Sequence, residues 1–218
     1  MPIKVLLADD HTIVRKGIRS LLDAEEDIEV VGEADNGREA MEKAEESQPD
    51  LILMDHTMPI MNGLEATRQI RQRHPDIQVL ILTMHTNEEY LFQFLQAGAA
   101  GYLVKESAPN ELVAAIRAIH RGDSFLSPTV SRAVIDEYVR RTTEVTPADS
   151  YDQLTPRERE VLQLIAEGYT NRDISEELVI SAKTAAVHRT NVMQKLDLHS
   201  VAEVTKYAIR KGIISLEQ

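Results

Sequence analysis

Read by the spacing of its apolar positions, the chain falls into two parts with different periods. Over the first ~120 residues, short apolar runs at Ile3–Ala8, Ile28–Ala34, Leu51–Met54, Val79–Leu82 and Gly101–Val104 alternate with stretches of helical period near 13–23, 37–46, 63–73, 88–97 and 109–121. Leu51–Met54 and Val79–Leu82 are apolar at every position, as strands are when helices cover both faces of a parallel sheet. A strand–helix unit repeated five times predicts a doubly wound α/β domain with a five-stranded parallel sheet. Asn87 is placed to cap the fourth helix and Pro109 to open the fifth.

Beyond Gly122 the pattern changes. Ser127-Pro128 opens a helix expected to run to about Arg141, and 142–152 is polar, contains one proline and shows no period, as a linker does. The rest reads as helix at 156–167, 171–178, 182–196 and 200–211, with Gly168 and Gly212 where C-terminal caps belong. Thr155-Pro156-Arg157-Glu158 has the form of a capping box with proline in the first turn. The expected organisation is an α/β domain over 1–122, a linker helix and flexible linker over 123–150, and a small all-α domain over 151–218.

Composition narrows the chemistry. Among 218 residues there is no cysteine, which excludes disulfides and zinc–thiolate sites and fits a reducing compartment. The first residues lack the apolar region of a signal peptide, and no apolar run approaches the ~18 residues of a membrane span, so a cytoplasmic protein is expected. The net charge of −12 is uneven: −9 over 1–122, −2 over 123–150 and −1 over 151–218. Ser181–Leu196 carries Lys183, Arg189, Lys195 and His188 and no acid, a local bias that suits a phosphate-facing surface.

Ligands of open α/β sheets bind beyond the carboxyl ends of the strands. There the first predicted strand leads into Asp9-Asp10, the third into Asp55, the fourth into Thr83 and the fifth into Lys105. Clustered carboxylates repel unless a cation sits among them, and hard oxygen donors of this kind suit Mg²⁺. A lysine and a hydroxyl beside that ion make a site for a phosphoryl group. A single aspartate at a strand end is usually a cap or a solvated loop residue; four strand ends converging on one rim point to function.

Ala8-Asp9-Asp10-His11, Met54-Asp55 with Met58-Pro59 and Asn62-Gly63, Leu82-Thr83, and Gly101-Tyr102-Leu103-Val104-Lys105 resemble, in order and spacing, the motifs of response-regulator receiver domains. The resemblance covers about 1–121. It implies that Asp55 is the phosphoacceptor and that Asp9, Asp10 and Asp55 hold Mg²⁺ with the Thr57 main-chain carbonyl. It further implies that Lys105 and Thr83 contact the phosphoryl oxygens, and that Tyr102 moves inward when Thr83 shifts. The chemistry implied is attack of a carboxylate on phosphorus to give an acyl phosphate. His56 departs from the family, which usually has an apolar residue there; it is either packed or solvated, or it tunes metal binding or pH response. Thr57 and His85 lie where side chains flank the phosphoryl group.

Leu154–Leu162, Asn171–Ser175, Ile180–Thr184, His188 and Gln194-Lys195-Leu196 together resemble a LuxR-type helix-turn-helix over about 151–215, and a receiver followed by this domain is similar to the NarL/FixJ family of transcription regulators. Within 182–196, Ala185, Val192 and Leu196 share one face and are expected inside, while Lys183, Ala186, Val187, Thr190 and Gln194 share another. The second helix of such a motif lies in the major groove. Ala186 and Val187 offer only apolar contacts, for instance to thymine methyls, whereas Lys183, Thr184, Arg189, Asn191 and Lys195 suit phosphate or sugar. His188 and Thr190 complete the candidate DNA set. Ala185-Ala186 replaces the family's usual valine and polar residue, so specificity is expected to rest on shape, methyl contacts and dimer spacing. The family further implies a sensor histidine kinase as phosphoryl donor and a homodimer on DNA. Two other readings stand beside it. One is a Mg²⁺-dependent phosphatase with Asp55 as nucleophile, for which Thr57 replaces the second carboxylate such enzymes use. The other is a DNA-binding protein whose first domain is only an interaction module.

Overall fold

The structure is a computed structural model that describes residues 1–84, 88–127, 130–131 and 150–214. It divides into two units, Met1–Val145 and Thr146–Gln218. Among the described residues, no helix is long and apolar enough to cross a membrane.

The first unit carries strands β1 (Ile3–Ala8), β2 (Ile28–Ala34), β3 (Leu51–Asp55), β4 (Gln78–Thr83), β5 (Gly101–Val104) and β6 (Phe125–Leu126), in the order β2-β1-β3-β4-β5-β6. All five pairings are parallel. The sixth strand is the difference from the five expected. Two residues are too few to show a period, and β6 is visible only through its pairing with Gly101 and Tyr102 of β5.

Helices α1 (Thr12–Leu22), α2 (Gly37–Ser47), α3 (Gly63–Arg73), α4 (Glu88–Gln96) and α5 (Ala108–His120) lie within two residues of the expected bounds. Strand side chains alternate between faces, and the buried residues sort accordingly. Leu6, Ala8, Ile52, Met54, Val79, Ile81 and Tyr102 pack with Ala40, Leu64, Ile70 and Phe94 of α2, α3 and α4. Val5, Leu7, Leu51, Leu53, Leu80, Leu82 and Leu103 pack with Ile18, Leu22, Leu112 and Ile116 of α1 and α5. The sheet is therefore covered on both faces, as its all-apolar central strands require.

The second unit is helical: α6 (Pro156–Ala166), α7 (Asn171–Glu177), α8 (Ala182–Lys195) and α9 (Val201–Arg210) enclose one apolar cluster that includes Val161, Ile174, Ala185, Val192 and Val204. The capping box at Thr155 forms in both directions: Glu158 N–H donates to Thr155 Oγ1 at 3.3 Å, and Thr155 N–H to Glu158 Oε2 at 2.8 Å. A second box, Thr170 with Asp173, opens α7. Gly168 and Gly212 follow helices with φ of +92° and +60°, conformations that suit glycine. The expected linker over 142–152 ends earlier than its polarity suggested. Ser150–Gln153 is a 3₁₀ turn whose Tyr151 is buried in the helical cluster. The cap expected at Asn87, His85, most of the helix expected from Ser127-Pro128 to Arg141, and 142–149 lie outside the described residues.

Candidate functional site

Parallel register brings the strand ends level. Asp55 pairs with Leu82, Thr83 with Val104, and Ala8 with Met54, so Asp9, Asp55, Thr83 and Lys105 stand along one rim. Alternation then sets directions: Asp55 follows Leu53, whereas Thr83 follows Ile81 onto the α2–α4 face, and His56 continues the row of Met54 onto that same face.

At the rim, the Lys105 ammonium lies 2.8 Å from Asp9 Oδ2 and 2.8 Å from Asp55 Oδ2. Its side chain is 7 % exposed, and those of the two aspartates 4 % and 6 %. Burial pushes the Asp55 carboxyl up to about 6; Lys105 works against this, and the nearby Asp9 charge adds to it. Burial works to lower the Lys105 ammonium, but Asp55 and Asp9 outweigh it and hold the group above its ordinary value. Asp10 is half-buried beside them. One carboxylate oxygen each from Asp9, Asp10 and Asp55, with His11 Nδ1, all lie within 4.8 Å of one another. Three clustered carboxylates, two of them 2.8 Å from one ammonium, make a set of hard oxygen donors that fits a small divalent cation such as Mg²⁺.

The backbone around Asp55 is built tightly. His56 N–H donates to Asp55 Oδ1 at 2.8 Å and to Leu82 O at 3.2 Å. The chain then loops through Thr57–Asn62 and returns, so that Gly63 N–H donates to His56 O at 2.9 Å. Asn62 Oδ1 caps α3 by accepting from Glu65 N–H at 2.9 Å. A Cβ on Gly63 would stand 1.9 Å from the Asp55 carbonyl oxygen, so only glycine fits here. Within the loop Ile60 has φ +68°, a left-handed conformation that costs a β-branched residue energy.

Thr83 is buried at the end of β4, and its main-chain oxygen accepts from Lys105 N–H at 2.8 Å. Tyr102 is buried on the α2–α4 face, edge-on to Phe94 with centroids 6.1 Å apart. Thr57 is half-buried. His56 is packed: it is 3 % exposed, and its ring stands 5.1 Å from that of Phe94 at 88°. Two residues that sequence reasoning passed over join this rim. His11 Nδ1 is 2.8 Å from Asp10 Oδ1, and Arg15 donates to the Asp9 carbonyl and, through Nε, to Glu33 at 3.0 Å. For His11 the available signal was adjacency to Asp9-Asp10; for Arg15 it was a place one turn into α1.

On α8 the inward face is the expected one, with Ala185, Val192 and Leu196 buried. Lys183, Thr184, Val187 and Thr190 are exposed; Ala186, His188, Arg189 and Asn191 are half-buried. Several of the candidate DNA-contacting residues are engaged inside the unit. Thr184 Oγ1 is 2.8 Å from Ser181 Oγ, Thr190 donates to Ala186 O at 3.0 Å, and Arg189 donates to Asn171 Oδ1 at 3.5 Å. Lys195 departs from its expected role most clearly. Its ammonium is 2.7 Å from the buried Glu158 and donates to Gln153 O at 3.2 Å, so it locks the end of α8 onto the start of α6. Burial works to raise Glu158, but Lys195 and the Thr155 N–H and hydroxyl outweigh it and hold the carboxyl below its usual range.

Comparison with known proteins covers both units. Residues 5–117 match the response regulator receiver domain, and residues 152–208 match the bacterial regulatory proteins of the luxR family. The chain is 41 % identical over 215 residues to the oxygen regulatory protein NreC of Staphylococcus carnosus, covering 97 % of this chain and 99 % of that one. Among solved structures it is similar to a LuxR-family two-component response regulator from Aurantimonas sp. SI85-9A1 (40 % identity, TM-score 0.61, 64 % of this chain and 99 % of that one). It is also similar to RcsB, solved as two dimers bound to two parallel DNAs (28 % identity, TM-score 0.59, 95 % and 98 %).

Proposed function

The chain belongs to the NarL/FixJ family of two-component response regulators, phosphorylation-regulated transcription regulators that join a receiver to a LuxR-type DNA-binding domain, and from this premise we propose that Asp55 is the group that accepts the phosphoryl. The observation that carries this is the buried convergence of Asp9, Asp55 and Lys105 at the carboxyl ends of three strands.

The donor is the phosphohistidine of a sensor kinase. An Asp55 carboxylate oxygen forms a bond to phosphorus as the phosphorus–nitrogen bond breaks, and the imidazole leaves with the electron pair. With its carboxyl pushed to about 6, Asp55 is ionised and nucleophilic at neutral pH. Asp9, Asp10 and Asp55, with the Thr57 carbonyl, would hold Mg²⁺, which when bound would supply positive charge to offset repulsion between the anionic donor and the acidic pocket. Lys105 meets the phosphoryl oxygens with its ammonium and Thr83 with its hydroxyl. Thr83 moves toward the phosphoryl group, and Tyr102 follows on the same face of the sheet. The chain acts only on itself in this scheme, taking one phosphoryl group and losing it slowly to water.

Phosphorylation shifts a two-state equilibrium toward a homodimer on DNA. There α8 lies in the major groove, Ala186 and Val187 meet base edges, and Lys183, Thr184, His188, Arg189, Thr190 and Asn191 face backbone or groove walls. Lys195 serves the domain's interior instead.

The test is intact-mass measurement after incubation with Mg²⁺ and acetyl phosphate. One phosphoryl per chain is expected, absent in Asp55→Asn, together with loss of any phosphorylation-dependent gain in DNA binding. An adduct that persists in Asp55→Asn, or no adduct in the natural chain, would sink this assignment.

A further inference from the structure

His56 stands where receiver sequences usually carry an apolar residue, and its surroundings assign it a task. Its main chain and side chain face two different parts of the receiver. The N–H donates to Asp55 Oδ1 at 2.8 Å and to Leu82 O at 3.2 Å, so one donor is shared between the acceptor carboxylate and the neighbouring strand. The side chain continues the row of Ile52 and Met54 onto the α2–α4 face, where its ring meets the edge of Phe94 at 5.1 Å and 88°. Phe94 is fully buried on α4 and meets Tyr102 of β5 at 6.1 Å and 61°. Three rings thus form a continuous edge-to-face column from the backbone beside Asp55, through α4, to β5.

We propose that His56 is a positioning residue that transmits the phosphorylation state of Asp55 to helix α4 through its ring contact with Phe94. This rests on Asp55 being the acceptor. Converting the carboxylate to an acyl phosphate removes the charge that the Asp55 oxygens share and makes the two oxygens unequal. The charge-assisted bond from His56 N–H to Oδ1 weakens as a result. The donor then favours Leu82 O, its other acceptor, and the His56 backbone shifts toward β4. The site leaves that shift little slack, because His56 O accepts from Gly63 N–H at 2.9 Å and the residue is 3 % exposed. Displacement of the ring is passed to Phe94, since close-packed interiors move by discrete repacking and not by local compression. The route reaches α4 directly and does not require Thr83 to move first.

The experiment uses the full chain with Mg²⁺ and acetyl phosphate. Intact mass gives the phosphoryl stoichiometry, and hydrogen exchange gives the ratio of α4 protection (Leu91–Gln96) with and without the phosphoryl group. In His56→Leu the stoichiometry is expected to stay at one, while that ratio falls about two- to tenfold, the range of an aromatic pair. Phe94→Leu should reduce it similarly, and the double variant no further than either single change, because both remove one contact. His56→Phe restores a ring edge and is expected to lose, on a logarithmic scale, no more than half of what His56→Leu loses in the same experiment. The proposal is overturned by an unchanged ratio in His56→Leu at full stoichiometry, by additive losses in the double variant, or by His56→Phe behaving as His56→Leu. If the natural chain takes no phosphoryl group, the assignment of Asp55 fails first, and the mass measurement alone reveals it.

Discussion

Lys105 and Lys183 carry the same charge and live in opposite circumstances. The first is 7 % exposed, 2.8 Å from each of two buried carboxylates, and held in its ionised form by them. The second is exposed at the start of α8, with no ion pair described for it. In the proposed function the receiver rim acts on a small ion and a phosphoryl group, so it has to be assembled in advance, with its charges already opposed and its backbone fixed. In the same proposal the α8 face acts on a polymer whose phosphates supply the missing partners, so its readiness consists of staying solvated. A preorganised site therefore shows itself through internal distances and displaced titration, and a docking face only through exposure and the sign of its charge.

The most severe way to break this contrast is at Gly63. Because a Cβ would stand 1.9 Å from the Asp55 carbonyl oxygen, Gly63→Ala is expected to abolish phosphoryl uptake and to destabilise the receiver by on the order of 3 kcal/mol or more. The helical unit should keep its affinity for nonspecific duplex DNA. Phosphoryl uptake at the natural rate in Gly63→Ala would show that the rim tolerates movement.

A smaller effect is expected from pH. Burial raises Asp55 from 3.8 to about 6, so the folded chain binds this proton more tightly than the unfolded one. Its contribution to stability is greatest below about pH 4 and is lost as pH rises through about 6, amounting to about 3 kcal/mol at most in metal-free protein. Urea unfolding of the chelator-treated chain across that window should show a declining stability that Asp55→Asn flattens; an equal slope in both proteins contradicts the buried, acid-crowded environment. Mg²⁺ should recover the loss at neutral pH, since it binds only the folded site.

The smallest effects separate two lysines on one helix. Lys195→Met leaves Glu158 buried without its cation and is expected to cost about 1–2 kcal/mol of stability in the helical unit, discounted because Lys195 is itself partly exposed. Lys183→Met should leave stability within about 0.5 kcal/mol while lowering the salt slope of nonspecific duplex binding by about 0.9. If the two variants exchange these outcomes, the division between structural and DNA-facing lysines is wrong.

Much of this was legible beforehand. The apolar runs of β1 to β5 and the helical periods located their elements within two residues, because each buries a face. Asp9, Asp55, Thr83 and Lys105 were legible because strand ends of a parallel sheet share a rim. Whether His56 is packed or solvated was left open by the sequence, because a strand-end residue can leave the pleat; its burial against Phe94 shows that it keeps the face of Met54. The partner of Lys195 was not, since Glu158 lies on another helix and no local pattern joins them. The second capping box was missed because Asp173 replaces the expected glutamate. The left-handed Ile60 was hidden because no side-chain preference announces it.

The rim draws its groups from strands that meet only through long-range pairing. Asp9 leaves β1 and Lys105 leaves β5, with β3 and β4 between them in the sheet, so the geometry of the ion pairs depends on every intervening strand being in place. A nascent chain that has emerged only as far as β4 has Asp55 but lacks the lysine that faces it. Under the proposed function, phosphoryl acceptance therefore depends on a completed β1–β5 sheet, and a kinase that transfers only to the closed rim would also inspect the quality of the receiver fold it modifies.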